Sequence, residues 1–323
     1  MIDACGRMIR YLRISITDRC NLRCVYCMSE HGVVSLGHTN ILTYEEFLRV
    51  TRLMAQLGVD SVRITGGETT VRNGWMDFIR ELKEIHGIRR ISMTTNGILL
   101  APLAREAKEA GLDSVNISLD TLNPEAFHRI TRLGNVEDVL RSIDACLDAG
   151  IQVKLNAVPS KELNSDNLTC VAELARDRDI CVRFIELMPV GFGETMTPIP
   201  TDEVQKLMEK AFGSLSPDTV KHGDGPAVYV KPNGFVGSIG FISAVSHEFC
   251  ESCNRVRVTA DGVLKLCLNH TGGISLRDLM RGGASDAEIL SVLKDAIAKK
   301  PLHHGFNENI GDREDRRMNQ IGG

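Results

Sequence analysis

The sequence predicts an α/β fold built on parallel strands, and three observations predict it. Short β-branched runs recur between residues 12 and 187. Amphipathic stretches of helical period separate them, so each connection is long enough to cross back over a sheet. Glycines stand where those helices must stop, at Gly58, Gly111 and Gly150, because the position after a helix is one that glycine enters freely. Successive βα units with right-handed crossovers build an incomplete TIM-like barrel or a doubly wound sheet.

Strands are predicted over 12–17, 61–65, 91–95, 114–119, 152–158 and 181–187. Helices are predicted over 44–57, 76–85, 103–110, 136–149, 167–177 and 201–211. Thr43 stands as N-cap of the first, with Glu46 completing a capping box. The pattern breaks at Pro198 and Pro200, and residues 214–225, rich in Ser, Pro, Asp and Gly, read as a linker or excursion. Short strands over 227–230, 235–242, 256–259 and 263–266 follow, then helices over 276–281 and 286–299. The 323 residues allow about two domains, 1–212 with the βα units and 213–323 with the remainder.

Composition narrows the function classes. With 43% hydrophobic and 25% charged residues the chain is globular rather than disordered. A net charge of −4 argues against nucleic acid as a partner, so an anionic ligand needs locally placed Arg and Lys. No apolar run approaches the roughly 18 residues of a membrane span, and Met1 to Arg7 lack a signal peptide's apolar stretch. The expectation is a cytoplasmic protein without a membrane partner.

In such a compartment the ten cysteines are not a disulfide framework. Cys5, Cys146, Cys170 and Cys181 are scattered and read as small apolar residues. Cys20, Cys24 and Cys27 form one tight group and Cys250, Cys253 and Cys267 another, which is the spacing of metal or iron–sulfur ligands. The first group follows strand one directly, at the carboxyl edge where parallel sheets carry their sites. A structural zinc or a 4Fe–4S cluster takes four protein ligands, so three leave one position open to a small molecule. Tyr26 sets an aromatic ring beside it. Gly66, Gly67 and Glu68 close strand two, where glycines admit a ligand to the backbone and a carboxylate suits an ammonium group. Ser118 ends strand four, and Met188 after strand six suits a flat ring.

In the second group an Asp261-Gly262 turn brings Cys253 and Cys267 back together. His247 and His270 are nearby, so a Cys3His zinc site is the alternative to a cluster. The pair His303-His304 reads as a surface or packing feature. Arg255 and Arg257 share one strand face. Arg13 on strand one alternates in the same way towards the barrel interior, while Arg63 lies on strand two and Lys154 on strand five. Converging cations would be prohibitive without an anion, and guanidinium forks suit phosphates.

The spacing Cys20-x3-Cys24-x2-Cys27, with Gly66-Gly67-Glu68 and the run from Asn116 to Asp120, resembles the radical S-adenosylmethionine (SAM) enzymes. The resemblance implies an incomplete (β/α)6 TIM-like barrel of radical SAM type, with a C-terminal extension carrying a second Fe–S cluster. It implies a 4Fe–4S cluster on the first triad whose open iron is chelated by SAM, and a 5′-deoxyadenosyl radical as product of SAM cleavage. Tyr26, Gly66, Gly67, Glu68, Ser118 and Met188 become the SAM-binding residues. The chain departs from the family's usual Pro-Leu after Glu68 by having Thr69 and Thr70, which predicts a looser loop.

Further stretches, at 12–20, 63–68, 94–97, 154–158, 253–257 and 318–323, resemble the GTP 3′,8-cyclase family of molybdenum cofactor biosynthesis. That resemblance implies GTP as substrate, contacted by Arg13, Arg63, Thr94, Lys154, Arg255 and Arg257. It implies a second 4Fe–4S cluster on Cys250, Cys253 and Cys267 that holds the guanine, and a paired-glycine tail, Gly322 and Gly323, entering the active site. Arg13, Arg255, Arg257, Gly322 and Gly323 form the catalytic set. The resemblance further implies that the radical removes the ribose 3′ hydrogen, that C3′ closes on C8, and that one electron from a low-potential donor and one proton then complete (8S)-3′,8-cyclo-7,8-dihydroguanosine 5′-triphosphate. Implied partners are a low-potential electron donor and cyclic pyranopterin monophosphate synthase downstream, and a homodimer is compatible with the resemblance. The alternatives are a radical SAM enzyme whose auxiliary cluster serves a peptide substrate, and a non-enzymatic iron–sulfur or zinc module.

Overall fold

The computed structural model describes residues 1–33, 36–306, 314 and 316–322. The first half is β1 (Tyr11–Ser15), α1 (Tyr44–Gln56), β2 (Ser61–Thr65), α2 (Trp75–Lys83), β3 (Arg90–Thr95), α3 (Ala104–Glu109), β4 (Ser114–Ser118), α4 (Pro124–Thr131), α5 (Val136–Asp148) and β5 (Gln152–Ala157). It continues with α6 (Leu168–Glu173), β6 (Cys181–Ile185), α7 (Thr201–Phe212), β7 (Leu215–Pro217), β8 (Val228–Pro232) and β9 (Ser238–Ile242). The last elements are β10 (Arg255–Val258), β11 (Val263–Lys265), β12 (Ile274–Ser275), α8 (Leu276–Arg281), α9 (Asp286–Ala298) and α10 (Met318–Ile321). Among the described residues no helix is long and apolar enough to cross a membrane.

The expected βα units are present, and the strands form one sheet in the order β12-β11-β10-β1-β2-β3-β4-β5-β6-β9-β8-β7. The six predicted strands are its parallel centre. The carboxyl-terminal region adds a parallel strand on each side, β10 against β1 and β9 against β6. Residues after 212 therefore complete the same sheet that the earlier ones begin.

Strand alternation decides what the sheet does. Leu12, Ile14, Val62, Ile64, Leu155 and Val182 lie on the outer face and pack with Phe47, Phe78 and Ile143 of the helices in one buried core. The inner face carries Arg13, Arg63, Asn116, Lys154, Arg183 and Arg257 instead. A filled TIM barrel has branched apolar residues there. This one has charges, so its interior is a cavity rather than a core.

Two segments differ from the sequence expectation. The β4 to β5 crossover holds an additional helix, α4, started by Asn123 capping the Ala126 amide with Pro124 at the first turn. The expected linker at 214–225 begins with β7 and then runs beneath the amino ends of the strands. There Ser61 donates to Asp224 at 3.0 Å and Asn254 to the Asp224 carbonyl at 3.4 Å. Its polar residues are satisfied by strand termini, and it forms a floor.

Candidate active site

Cys20, Cys24 and Cys27 line a cavity at the carboxyl edge of the sheet, with Gly66, Gly67, Ser118 and Met188. The amides of Cys27 and Met28 both donate to the Cys24 carbonyl, at 2.9 and 3.0 Å, which curls the loop into a tight turn. Asn96 donates to Asn21 Oδ1 at 2.8 Å and reaches Cys20 Sγ at 3.8 Å. Tyr26 lines the same wall, its hydroxyl donating to Asp120 at 2.7 Å. Burial pushes the Cys20 thiol up to about 11, and burial with the neighbouring Cys20 charge pushes Cys27 up to about 12. Three thiolates so close together need a cation among them, and an iron–sulfur cluster fits that donor set.

Gly66 and Gly67 serve close packing. A Cβ on Gly66 would lie 2.7 Å from the Thr17 carbonyl, and one on Gly67 would strike the Arg19 carbonyl. The gain is a pair of short hydrogen bonds, Gly67 N–H to Thr17 O and Glu68 N–H to Arg19 O, both 2.7 Å. They fasten this loop to the cysteine loop.

Glu68 is placed differently from the expectation. Its buried carboxylate accepts from the Thr70 amide (2.9 Å), the Thr70 hydroxyl (2.7 Å), the Thr95 hydroxyl (2.7 Å) and the Asn96 amide (2.6 Å). It is not among the residues lining the cavity. Glu68 ties the loop to the end of β3 rather than presenting a free carboxylate to an ammonium group. The expected looseness from Thr69 and Thr70 is offset here as well. Thr70 grips Glu68, and Thr69 donates to the Thr94 carbonyl at 3.0 Å.

A second cavity adjoins the first, and the two share Thr94, Asn156, Ile185, Met188 and Met318. Arg257, Arg13 and Arg63 stand side by side in register on β10, β1 and β2 along its wall. Arg255 joins them, its guanidinium 4.8 Å over the Phe249 ring and 3.7 Å from Cys253 Sγ. Cys250, Cys253 and Cys267 line the same cavity. Lys154 is buried at its base rather than on the wall, where a Cβ on Gly223 of the floor would come within 2.8 Å of the ammonium.

Arg183 of β6, only 4% exposed, is a further cation here. Its Nη2 donates to Asn116 (2.8 Å) and Asn156 (2.6 Å), and its Nε has no partner. Sequence reasoning missed it, although its alternation with Val182 and Phe184 was the available signal. The Tyr11 hydroxyl and Thr94 Oγ1 are also buried without hydrogen-bond partners.

The electrostatics demand an anion. Burial, then Arg257 and Arg63, hold Arg13 far below the usual arginine range. Burial and Arg255 lower Arg257 to about 10. Burial, Arg183 and Arg63 bring Lys154 to about 7. At Cys253 burial opposes ionisation, but Arg255 and Lys300 bring the thiol down to about 7. That is the donor chemistry a second metal centre uses.

The tail packs against the ends of β1 and β2. Arg257 Nη1 donates to the Gly322 carbonyl at 2.8 Å, and a Cβ on Gly322 would lie 2.6 Å from Thr65 Oγ1. Gly323 lies outside the described residues. His270 turns instead to the His303 carbonyl at 3.0 Å, and His247 to Ser246. The histidine brought beside Cys250 is His304.

A partial barrel with a cysteine triad after its first strand defines the class, and comparison gives the particular. The model of the radical SAM superfamily matches residues 14–175, and that of Molybdenum Cofactor Synthesis C matches 180–306. A GTP 3′,8-cyclase of Clostridium perfringens (strain 13 / Type A) is 44% identical over 323 residues, covering 100% of both chains. Another, of Heliobacterium modesticaldum, is 45% identical over 328 residues, again covering 100% of both. Among solved structures, Streptococcus suis SuiB bound to its precursor peptide SuiA superposes with a TM-score of 0.59 at 14% identity, over 94% of this chain and 68% of that one. SuiB bound to SAM gives 0.56 at 14% identity, over 92% of this chain and 65% of that one, and both likenesses concern the fold alone. The chain belongs to the radical SAM superfamily and, within it, to the family of these GTP 3′,8-cyclases.

Proposed function

We propose that this chain is a radical SAM GTP 3′,8-cyclase, which converts GTP to (8S)-3′,8-cyclo-7,8-dihydroguanosine 5′-triphosphate in the first step of molybdenum cofactor biosynthesis. The observation that supports it is the layer Arg257–Arg13–Arg63 beside Cys250, Cys253 and Cys267, in a cavity continuous with that of the first triad. A triphosphate neutralises such a layer, and a neutral peptide backbone does not.

When bound, a 4Fe–4S cluster with SAM supplies the 5′-deoxyadenosyl radical, and a second cluster gives the guanine an anchor. Cys20, Cys24 and Cys27 hold the first cluster, and Cys250, Cys253 and Cys267 the second. Tyr26, Gly66, Gly67, Ser118 and Met188 wall the SAM cavity, with Glu68 holding their loop in place. Arg13, Arg63, Arg183, Arg255 and Arg257 take the triphosphate, with Lys154 adding charge from below. Thr94, on the shared wall, offers its unpartnered hydroxyl where ribose and radical source meet. Gly322, through its carbonyl, fixes the Arg257 guanidinium. Fixing the reacting atoms in a dry cavity supplies orders of magnitude in rate.

Residues 1–212 serve as the radical SAM part, and 213–323 bring the second triad, the Arg255–Arg257 pair and the tail. A low-potential electron donor and cyclic pyranopterin monophosphate synthase are the partners of this reading.

The test is anaerobic. Protein reconstituted with iron and sulfide receives dithionite and SAM, and 5′-deoxyadenosine is followed with and without GTP. GTP-dependent 5′-deoxyadenosine with a cyclised product by mass spectrometry supports the reading. SAM cleavage indifferent to GTP overturns the substrate and keeps the class.

A further inference from the structure

The second triad is fastened to the other end of the chain. Arg7 lies in the turn between Ile2 and Met8, which pair antiparallel, and it is 5% exposed, as is Asp3. Asp3 Oδ2 accepts from Arg7 Nε at 2.6 Å, and Oδ1 accepts from the Cys5 and Arg7 amides at 3.0 and 2.9 Å. The rest of the guanidinium goes to backbone carbonyls. Arg7 Nη1 donates to Cys250 O at 3.0 Å and Leu302 O at 3.3 Å, and Nη2 donates to Lys300 O at 3.0 Å and Pro301 O at 2.9 Å. A guanidinium has five N–H donors in a fixed fork, and here every one is used. The compact ammonium of a lysine could not span these acceptors.

The carbonyls it holds belong to the triad and to the segment that cradles it. Cys250 O also accepts the Cys253 amide at 3.1 Å, so Arg7 grips the turn that carries two of the three cysteines at the point where it closes. Residues 300–304 reach the triad in two further places. The His304 backbone amide donates to the Cys250 sulfur. The Lys300 ammonium donates to the carbonyl of Leu266, the residue before Cys267. Lys300 is buried and lines the cavity with the three cysteines, and the negative charges beside its ammonium are the thiolates of Cys253 and Cys267.

We propose that Arg7 is a positioning residue of the second metal centre, pinning residues 300–302 to the Cys250 turn so that this one segment holds both cysteine arms and sets the Lys300 ammonium between them. A 4Fe–4S cluster on three thiolates is negative overall, and a buried cation beside it favours the reduced state and raises the reduction potential. The first residues of the chain thereby belong to the site built by its last hundred.

The inference rests on the reading that the second triad holds a 4Fe–4S cluster, and the experiment keeps the two apart. Full-length protein with Cys20, Cys24 and Cys27 replaced by Ala is reconstituted, so that its iron is that of the second cluster. Arg7→Met is introduced together with Asp3→Asn, which leaves no carboxylate buried without its cation. Loss of second-cluster iron to a chelator should quicken about tenfold or more, the equivalent of one hydrogen bond to a charged group. The same two changes in protein with Cys250, Cys253 and Cys267 replaced by Ala should leave retention of the first cluster as it was. Unchanged retention of the second cluster overturns the inference. Equally hastened loss from both triads overturns it too, since that is general loosening and not positioning.

Lys300→Met leaves the Arg7 bonds in place, because they use the backbone carbonyl, and removes the charge. By EPR-monitored potentiometry the potential of the second cluster should fall in Lys300→Met and recover in Lys300→Arg. A potential unchanged in Lys300→Met overturns the part given to the ammonium. A parent that assembles no cluster overturns the second-cluster reading and this inference with it.

Discussion

Replacing Gly322 by Ala should undock the tail while leaving the barrel and the first triad intact. The residue sits at φ +81°, and an added Cβ would lie 2.6 Å from Thr65 Oγ1 and 2.9 Å from Ser15 Cβ. The left-handed conformation costs an L-residue roughly 1–2 kcal/mol. Forcing a methyl into a filled site costs about 1–3 kcal/mol more. Against this stand the Arg257 hydrogen bond to the Gly322 carbonyl, worth about 1.5–3 kcal/mol as a charged pair, and the burial of Ile321 beside Val190 and Phe306. Even the lower sum, about 2 kcal/mol, shifts docked against free tail by ~30-fold. Hydrogen–deuterium exchange over 316–322 should rise, global melting should stay put because the change is local, and GTP cyclisation should collapse. Cluster content and slow uncoupled SAM cleavage should persist. Full cyclisation with a protected tail in Gly322→Ala would refute the placement of the glycine and its hold on Arg257.

Thr70→Val removes the hydroxyl that grips Glu68 and should weaken SAM binding by about 5–30-fold, the equivalent of one buried hydrogen bond; equilibrium dialysis against SAM checks it. Arg183→Met should abolish the rise in melting temperature that GTP gives the protein, read by thermal unfolding with and without GTP. For Lys154, whose ammonium is brought down to about 7 by burial, Arg183 and Arg63, the burial penalty is complete below pH 7. Between there and the usual lysine range only the unfolded chain binds the proton, so ligand-free stability should climb with pH and flatten in Lys154→Met. By the same linkage GTP binding at pH 8 should take up a proton at Lys154, seen by calorimetry in buffers of different ionisation heat.

Local features were legible in the sequence, and directions were not. Cysteine spacing is a local property, of one loop in the first triad and of one hairpin in the second, so both triads could be read from it. The parallel centre was readable because β-branched runs and helix caps are short-range signals. Arg13, Arg63 and Arg257 could be proposed for one interior from alternation alone. Their side-by-side register, and the company of Arg183, depend on which strands pair. Residues 214–225 look like linker because polar and glycine-rich segments look alike whether solvated or packed under a barrel. Glu68 could be assigned to the SAM loop, but the side its carboxylate faces depends on Thr95 and Asn96 of another strand. The His303-His304 pair could be read only as a surface or a packing feature, because the burial of the His304 ring is set by Phe306 and the distant Cys250 loop.

A chain of net charge −4 that turns six cations, Arg13, Arg63, Lys154, Arg183, Arg255 and Arg257, towards one interior has separated its charges deliberately. The outer face of the sheet and its helices form a continuous apolar core and carry the folding stability. The inner face does the reverse, since each buried guanidinium lowers the stability of the empty protein. An anion that enters relieves that repulsion and gains it as affinity, so selectivity for a highly charged ligand follows from the strain of the ligand-free state. Lys154 measures this balance. At about 7 its ammonium is poised to lose its proton when the cavity is empty and to regain it when phosphate arrives. Its proton uptake should therefore grow with the number of phosphates, GTP over GDP over GMP, whereas a cavity selective mainly for the purine would take up the same amount from all three.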